Sequence, residues 1–323
     1  MSKPKVAFYW CASCGGCEEA VVDLADAILG VVDAVDIVFW PVAMDFKRED
    51  VEALKDGELA AGFVNGAIRT SEQEEMAHLM RRKSQALIAF GSCSHTGGIP
   101  GLANLYTRED ILKRVYIENP SIVNPNHILP QEKSVETEGT LRLPAFKDDV
   151  RTLDQTVEVD YYLPGCPPPV NLIVNAVTAL VEGKLPPKGS VLAPDVALCS
   201  ECERNATKPE KLSMKDVKRP HEIIIDGENC LLAQGVICLG PATRSGCGAA
   251  CLNANMPCTG CMGATSGALD YGAKALSAMA SLLDSNDAEE IKSMTAKIVD
   301  PAGTFYRYSL PASFLHRRVG RPG

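Results

Sequence analysis

Apolar positions in the first half of the chain come in short unbroken runs, separated by stretches of helical period. KVAFYW (5–10) reads as a buried strand, and VDIVFW (35–40), ELAAGFVNGAI (58–68), QALIAFG (85–91) and VEVDYYLPG (157–165) repeat the signal. Between them, EEAVVDLADAILG (18–30) reads as a helix stopped by Gly30. SEQEEMAHLMRRK (71–83) reads as a helix with Ser71 as N-cap and Glu74 completing a capping box. PPVNLIVNAVTALVEG (168–183) is a helix with proline in its first turn. Strands alternating with helices predict a parallel, doubly wound α/β sheet.

The pattern then changes. QEKSVETEGTLRLPAFKDDVRTLDQT (131–156) is polar and irregular and reads as a surface insertion. LPPKGSVLAP (185–194) is rich in Pro and Gly and marks a domain boundary. Residues 195–262 have little periodicity, and helices follow over 266–284 and 287–299. The expected organisation is an α/β domain over 1–190 and a loop-rich, mainly helical domain over 191–323. No repeat of fixed period is present.

Composition narrows the function. The 323 residues are 46% apolar, enough for a proper core, and the net charge of −9 argues against nucleic acid as main partner. No apolar run reaches the roughly 18 residues of a membrane span. MSKPKVAFYWC has no charged-then-apolar leader, so the expected location is cytoplasmic. Thirteen cysteines in such a chain point to metal thiolates rather than disulfides.

CASCGGC places Cys11, Cys14 and Cys17 in seven residues, and the next ferredoxin position is Val21 rather than cysteine. The run therefore needs partners from elsewhere. Cys93, in AFGSCSHTGGIPG, and Cys166, in YYLPGCPPPV, each follow a predicted strand. In a doubly wound sheet those ends share one edge, the usual ligand crevice. Two cysteines of the opening run with Cys93 and Cys166 make four. Glycines at 15, 16, 91, 97, 98 and 165 leave room for a bulky cluster. Cys199, Cys202, Cys230, Cys238, Cys247, Cys251, Cys258 and Cys261 divide into two further sets of four. Spacing alone allows structural zinc as well as iron–sulfur there. His95 reads as a residue bonding the Cys93 loop, and His78 as a surface residue. The tail RYSLPASFLHRRVGRPG carries Arg307, Arg317, Arg318 and Arg321 and reads as solvated rather than as a docking segment. No Walker loop, G-x-G-x-x-G or Ser/His/Asp set is present, so no catalytic residue is assigned.

CGGCEEA, GSCSHTGGIPG and LPGCPPPV resemble the proximal-cluster motifs of nickel–iron hydrogenase small subunits. CLLAQGVICLGPATRSGCG and NMPCTGC point to the cytoplasmic methyl-viologen-reducing (deazaflavin-non-reducing) group associated with heterodisulfide reductase. The resemblance covers nearly the whole chain. It implies a flavodoxin-like first domain and three 4Fe–4S clusters: proximal on Cys14, Cys17, Cys93 and Cys166, medial on Cys247, Cys251, Cys258 and Cys261, and distal on Cys199, Cys202, Cys230 and Cys238. Cys11 is then spare. Where periplasmic members often have histidine and proline, this chain has Cys199 and Cys251. Ser13 and Gly15 replace the usual Glu and Thr around the first paired cysteine. The implied partners are a nickel–iron large subunit, a small 2Fe–2S electron-transfer subunit and heterodisulfide reductase. The related 20 kDa-type subunit of complex I keeps the proximal cluster only, and the eight C-terminal cysteines argue against it.

Overall fold

The computed structural model describes residues 3–317. Ten strands are present among these residues: β1 (Lys5–Trp10), β2 (Asp36–Phe39), β3 (Leu59–Asn65), β4 (Ile68–Thr70), β5 (Ser84–Phe90), β6 (Lys133–Glu136), β7 (Gly139–Arg142), β8 (Phe146–Arg151), β9 (Tyr161–Leu163) and β10 (Ser190–Val191). Six form one sheet in the order β10-β9-β5-β3-β1-β2, every pair parallel. Counting only these six, the order is that of the flavodoxin-like class, with its switch point between β1 and β3. The expected fold class is therefore present.

Strand alternation sorts side chains between two faces. Val6 and Phe8 of β1 pack with Phe63, Phe90 and Ile173 on one face, whereas Ala7 packs with Val64, Met80 and Leu87 on the other. Phe8 stacks on Phe63 with ring centroids 4.8 Å apart. Leu198, Leu231, Leu239, Tyr271, Met279 and Phe305 belong to a separate core built from the C-terminal residues. Met262, Cys247 and Cys261 reach back to the core on the Phe8 face, joining the two halves.

Several elements depart from the sequence expectations. The helix expected over 18–30 is two, Gly16–Val22 and Ala27–Ala34, because Ala25 turns left-handed (φ 49°) between them. Gly30 lies inside the second. The strand expected over 58–68 breaks after Asn65: Gly66 (φ 86°) sits so close to the Cys11 backbone that a Cβ would come 2.6 Å from its carbonyl carbon. The helix Ser71–Lys83 is capped by Thr70, not Ser71, and Gln73, not Glu74, closes the capping box. The strand over 157–165 is only Tyr161–Leu163, and the helix over 266–284 only Tyr271–Ala280. The segment 131–156 is more ordered than expected, with a β6–β7 hairpin and with β8 pairing antiparallel to β4.

The C-terminal tail is packed rather than solvated over 308–311, while Phe314 and Leu315 stand exposed. Tyr308 and Leu310 are buried, the Gly98 N–H donates to the Tyr308 carbonyl at 3.0 Å, and Gln155 Nε2 donates to the Pro311 carbonyl at 2.8 Å. Arg307 Nε donates to the Gly303 carbonyl. Arg318 and Arg321 lie outside the described residues. No helix among the described residues is long and apolar enough to cross a membrane.

Candidate iron–sulfur centres

β1, β5 and β9 run parallel, so the loops after Trp10, Phe90 and Leu163 meet at one sheet edge. The Gly91 N–H donates to the Leu163 carbonyl at 2.8 Å and the Ser92 N–H to the Gly165 carbonyl at 2.7 Å, tying the Cys93 and Cys166 loops together. Gly91 (φ 86°) faces Cys17 so closely that a Cβ there would overlap the Cys17 sulfur. Cys17 feels the fields of Cys93, Cys166 and Cys14, in that order, and Cys93 those of Cys166 and Cys14. Cys14, Cys17, Cys93 and Cys166 are thus brought together.

Cys11 stands apart. It continues the Ala7 side of the β1 alternation and packs in the core on the opposite face from Cys17. Burial raises its thiol pKa, with Glu72 next in effect and no cysteine of the set contributing. That position gives the spare cysteine its physical role, a small buried hydrophobe.

The C-terminal cysteines form two neighbourhoods. Cys199, Cys202, Cys230 and Cys238 line one cavity of about 480 Å³, and Cys199 feels Cys238, Cys202 and Cys230. Cys247, Cys251, Cys258 and Cys261 line another of about 300 Å³, walled also by Pro167, Pro168 and Met262. Two hydrogen bonds join the three sets in a row. The Ser92 hydroxyl, beside Cys93, donates to the Cys261 carbonyl, and the Leu239 N–H, beside Cys238, donates to the Cys258 carbonyl at 3.0 Å.

These sulfurs are dressed for thiolate chemistry. Backbone N–H groups of Ile99, Gly240, Gly260 and both Ala249 and Ala250 lower the thiol pKa of Cys93, Cys238, Cys258 and Cys247 respectively. Gly16 N lies 3.4 Å from the Cys14 sulfur. Such donors stabilise negative sulfur and tune clusters. Against them, burial pushes the Cys93 and Cys261 thiols up to about 12 and Cys199 to about 11. Bare thiolates are therefore disfavoured at neutral pH, and a bound cation supplies the compensation. Among the described residues the cysteines are free thiols. A mononuclear zinc draws its thiolates to about 2.3 Å from one centre, whereas a cubane takes one thiolate on each of its irons. Four thiolates per set are a donor complement that an iron–sulfur cluster takes.

Two residues of these sites escape a sequence reading. Glu18 is buried, its carboxylate accepting from Trp40 Nε1 and Asn65 Nδ2, and burial lifts its pKa to about 7 against those bonds. Arg204 is buried at the cavity of Cys199. Glu18 had only its place after Cys17 as a signal, and Arg204 only its place after Cys202. His95 is held by ring contact with Tyr162 (centroids 4.7 Å apart) rather than by a bond to its loop. Burial lowers its pKa to about 4, so it is neutral.

The family described as "NADH ubiquinone oxidoreductase, 20 Kd subunit" matches residues 14–180, the part that holds the first cysteine set. The iron–sulfur subunit of the F420-non-reducing hydrogenase of Archaeoglobus profundus is 40% identical over 319 residues, covering 98% of each chain. Its counterpart in the F420-non-reducing hydrogenase of Methanothermobacter marburgensis is 33% identical over 99% of each. The nickel–iron–selenium hydrogenase of Desulfovibrio vulgaris Hildenborough shares the fold, with TM-score 0.51 at 16% identity, over 81% of this chain and 94% of its own. The sheet, the cysteine loops at its edge and these relatives define a hydrogenase subunit, an oxidoreductase component. The chain belongs to the nickel–iron hydrogenase small-subunit family, in its F420-non-reducing group. As a small subunit it pairs with a nickel–iron large subunit.

Proposed function

We propose that this chain is the electron-transfer subunit of a cytoplasmic nickel–iron hydrogenase and holds three 4Fe–4S clusters. Cys14, Cys17, Cys93 and Cys166 hold the proximal one. Cys247, Cys251, Cys258 and Cys261 hold the medial, and Cys199, Cys202, Cys230 and Cys238 the distal. The observation that carries this reading is the linear order of the three sets, joined through the Ser92–Cys261 and Leu239–Cys258 hydrogen bonds. When bound, the clusters supply one-electron redox capacity between dihydrogen oxidation on the large subunit and an acceptor.

The chain's own residues do the rest. N–H groups aimed at the sulfurs stabilise the anionic form, and the apolar walls exclude water. Trp10, whose ring packs on Gly15 of the Cys14 loop, stands partly exposed, as do Val42 and Met44 in the segment after β2, and together they offer apolar surface for the large subunit. The acceptor is a small 2Fe–2S subunit leading to heterodisulfide reductase, as the resemblance implies. Residues 1–190 form the proximal-cluster domain, and 191–323 the domain of the other two.

Single serine substitutions test this in the anaerobically purified complex. Cys93→Ser, Cys247→Ser and Cys230→Ser should each alter a different one of three reduced-cluster signals in electron paramagnetic resonance and leave the other two. Spectra unchanged in any of the three variants would contradict the assignment of that set.

A further inference from the structure

Arg204 is 7% exposed and makes four side-chain hydrogen bonds. Nη1 donates to the carbonyls of Asp226 (2.8 Å) and Asn229 (3.1 Å). Nη2 donates to the carbonyl of Leu252 (3.3 Å) and to Asn255 Oδ1 (2.7 Å). Every acceptor is neutral. Among the described residues no carboxylate stands at ion-pair distance from this guanidinium. The Asp226 carboxylate feels its charge but is bonded to the N–H groups of Glu228 and Asn229. Burying a charge without a counter-charge is costly, several kcal/mol even after relaxation.

The missing anion has an address. Arg204 lines the same cavity as Cys199, Cys202, Cys230 and Cys238. A cubane on four thiolates is anionic at both oxidation levels, and more so when reduced. Of the other charged residues at that cavity, Lys208, Glu210 and Lys211 are exposed; Lys208 favours the Cys199 thiolate but is screened by water, whereas Arg204 is buried. Its bonds also span two sites: Asn229 precedes Cys230, and Leu252 follows Cys251.

We infer that Arg204 is the buried counter-cation of the Cys199–Cys202–Cys230–Cys238 site, raising the reduction potential of the group held there while pinning that site's loop to the short helix Ala250–Asn253. The inference rests on the three-cluster reading above. Arg204 acts through its field and its bonds, as a positioning residue rather than a catalytic one.

Potentiometric titration of the anaerobically purified complex, followed by electron paramagnetic resonance, tests it. The distal signal is the one altered by Cys199→Ser. Arg204→Gln removes the charge and should shift the reduced-to-oxidised ratio of that signal about tenfold toward oxidised at a given potential, a fall of about 59 mV. Arg204→Lys keeps the charge with fewer bonds and should hold the wild-type potential. An unmoved potential in Arg204→Gln, or an equal fall in both variants, would overturn the inference. If Arg204→Gln sheds its iron, Arg204→Lys decides: a wild-type potential supports the inference, and a fall overturns it. A wild-type complex lacking any signal that depends on Cys199 would overturn the cluster reading, and this inference with it; an unmoved potential overturns the inference alone.

Discussion

Asp160 shows how one side chain ties the start of β9 to its neighbours, at the end away from the cysteine loops. It is 1% exposed, yet Arg81 Nη1 and Lys188 Nζ both reach it at 2.6 Å and the Leu87 N–H donates to it at 2.8 Å. Burial raises its pKa, but the Lys188, Arg81 and Leu87 bonds outweigh burial and leave the net value lowered. A lowered folded value means the stabilisation is present above the unfolded carboxylate range and lost as pH falls through the folded value. Asp160→Asn should therefore cost about 2 kcal/mol at neutral pH. In anaerobic thermal melts, the wild-type advantage should stay constant down to about pH 5 and narrow below about pH 4. A pH-independent difference would contradict the linkage. Nothing in VEVDYYLPG announces this network, because its cations come from positions 81 and 188. The cysteines of the first set were legible for the opposite reason, since their Gly- or Pro-rich loops each follow a readable strand. Glu18 and Arg204 were not, because a lone charged residue gives no sign of burial until its distant partners are in place.

At the scale of elements, the strand–loop junctions do the functional work. β5 passes into Ser92–Thr96 through Gly91, whose φ of 86° and contact with the Cys17 sulfur leave no room for a side chain. Gly91→Ala should abolish the proximal signal and leave the medial and distal ones. Full retention of three clusters would show that the loop can yield. The parallel strands were legible as apolar runs, and their parallel pairing followed from the alternation with helices; their order did not. Boundaries were less so. Ala25 breaks a helix with no glycine or proline to mark it, and Gly66 ends a strand because the Cys11 backbone lies against it, a long-range contact no local pattern carries. The hairpin β6–β7 was missed because its strands are mostly exposed and lack an apolar alternation.

Across the whole molecule, one sheet supplies the first cysteine set and a loop-rich array supplies the other two, joined at Cys261 and at the packed C-terminal tail. The tail's buried Tyr308 and Leu310 press on the Cys93 loop, so the last described residues belong to the frame of the first site. The array has little secondary structure of its own beyond short turns, which is why the sequence disclosed its cysteines and not its shape. The central claim is that this frame holds three four-iron clusters beside a nickel-bearing subunit. Elemental analysis of the anaerobically purified complex, with its chains resolved on a gel, tests that most directly. The account predicts about twelve irons assignable to this chain, with nickel on a second chain. About four irons without nickel, or zinc in place of iron, would contradict it.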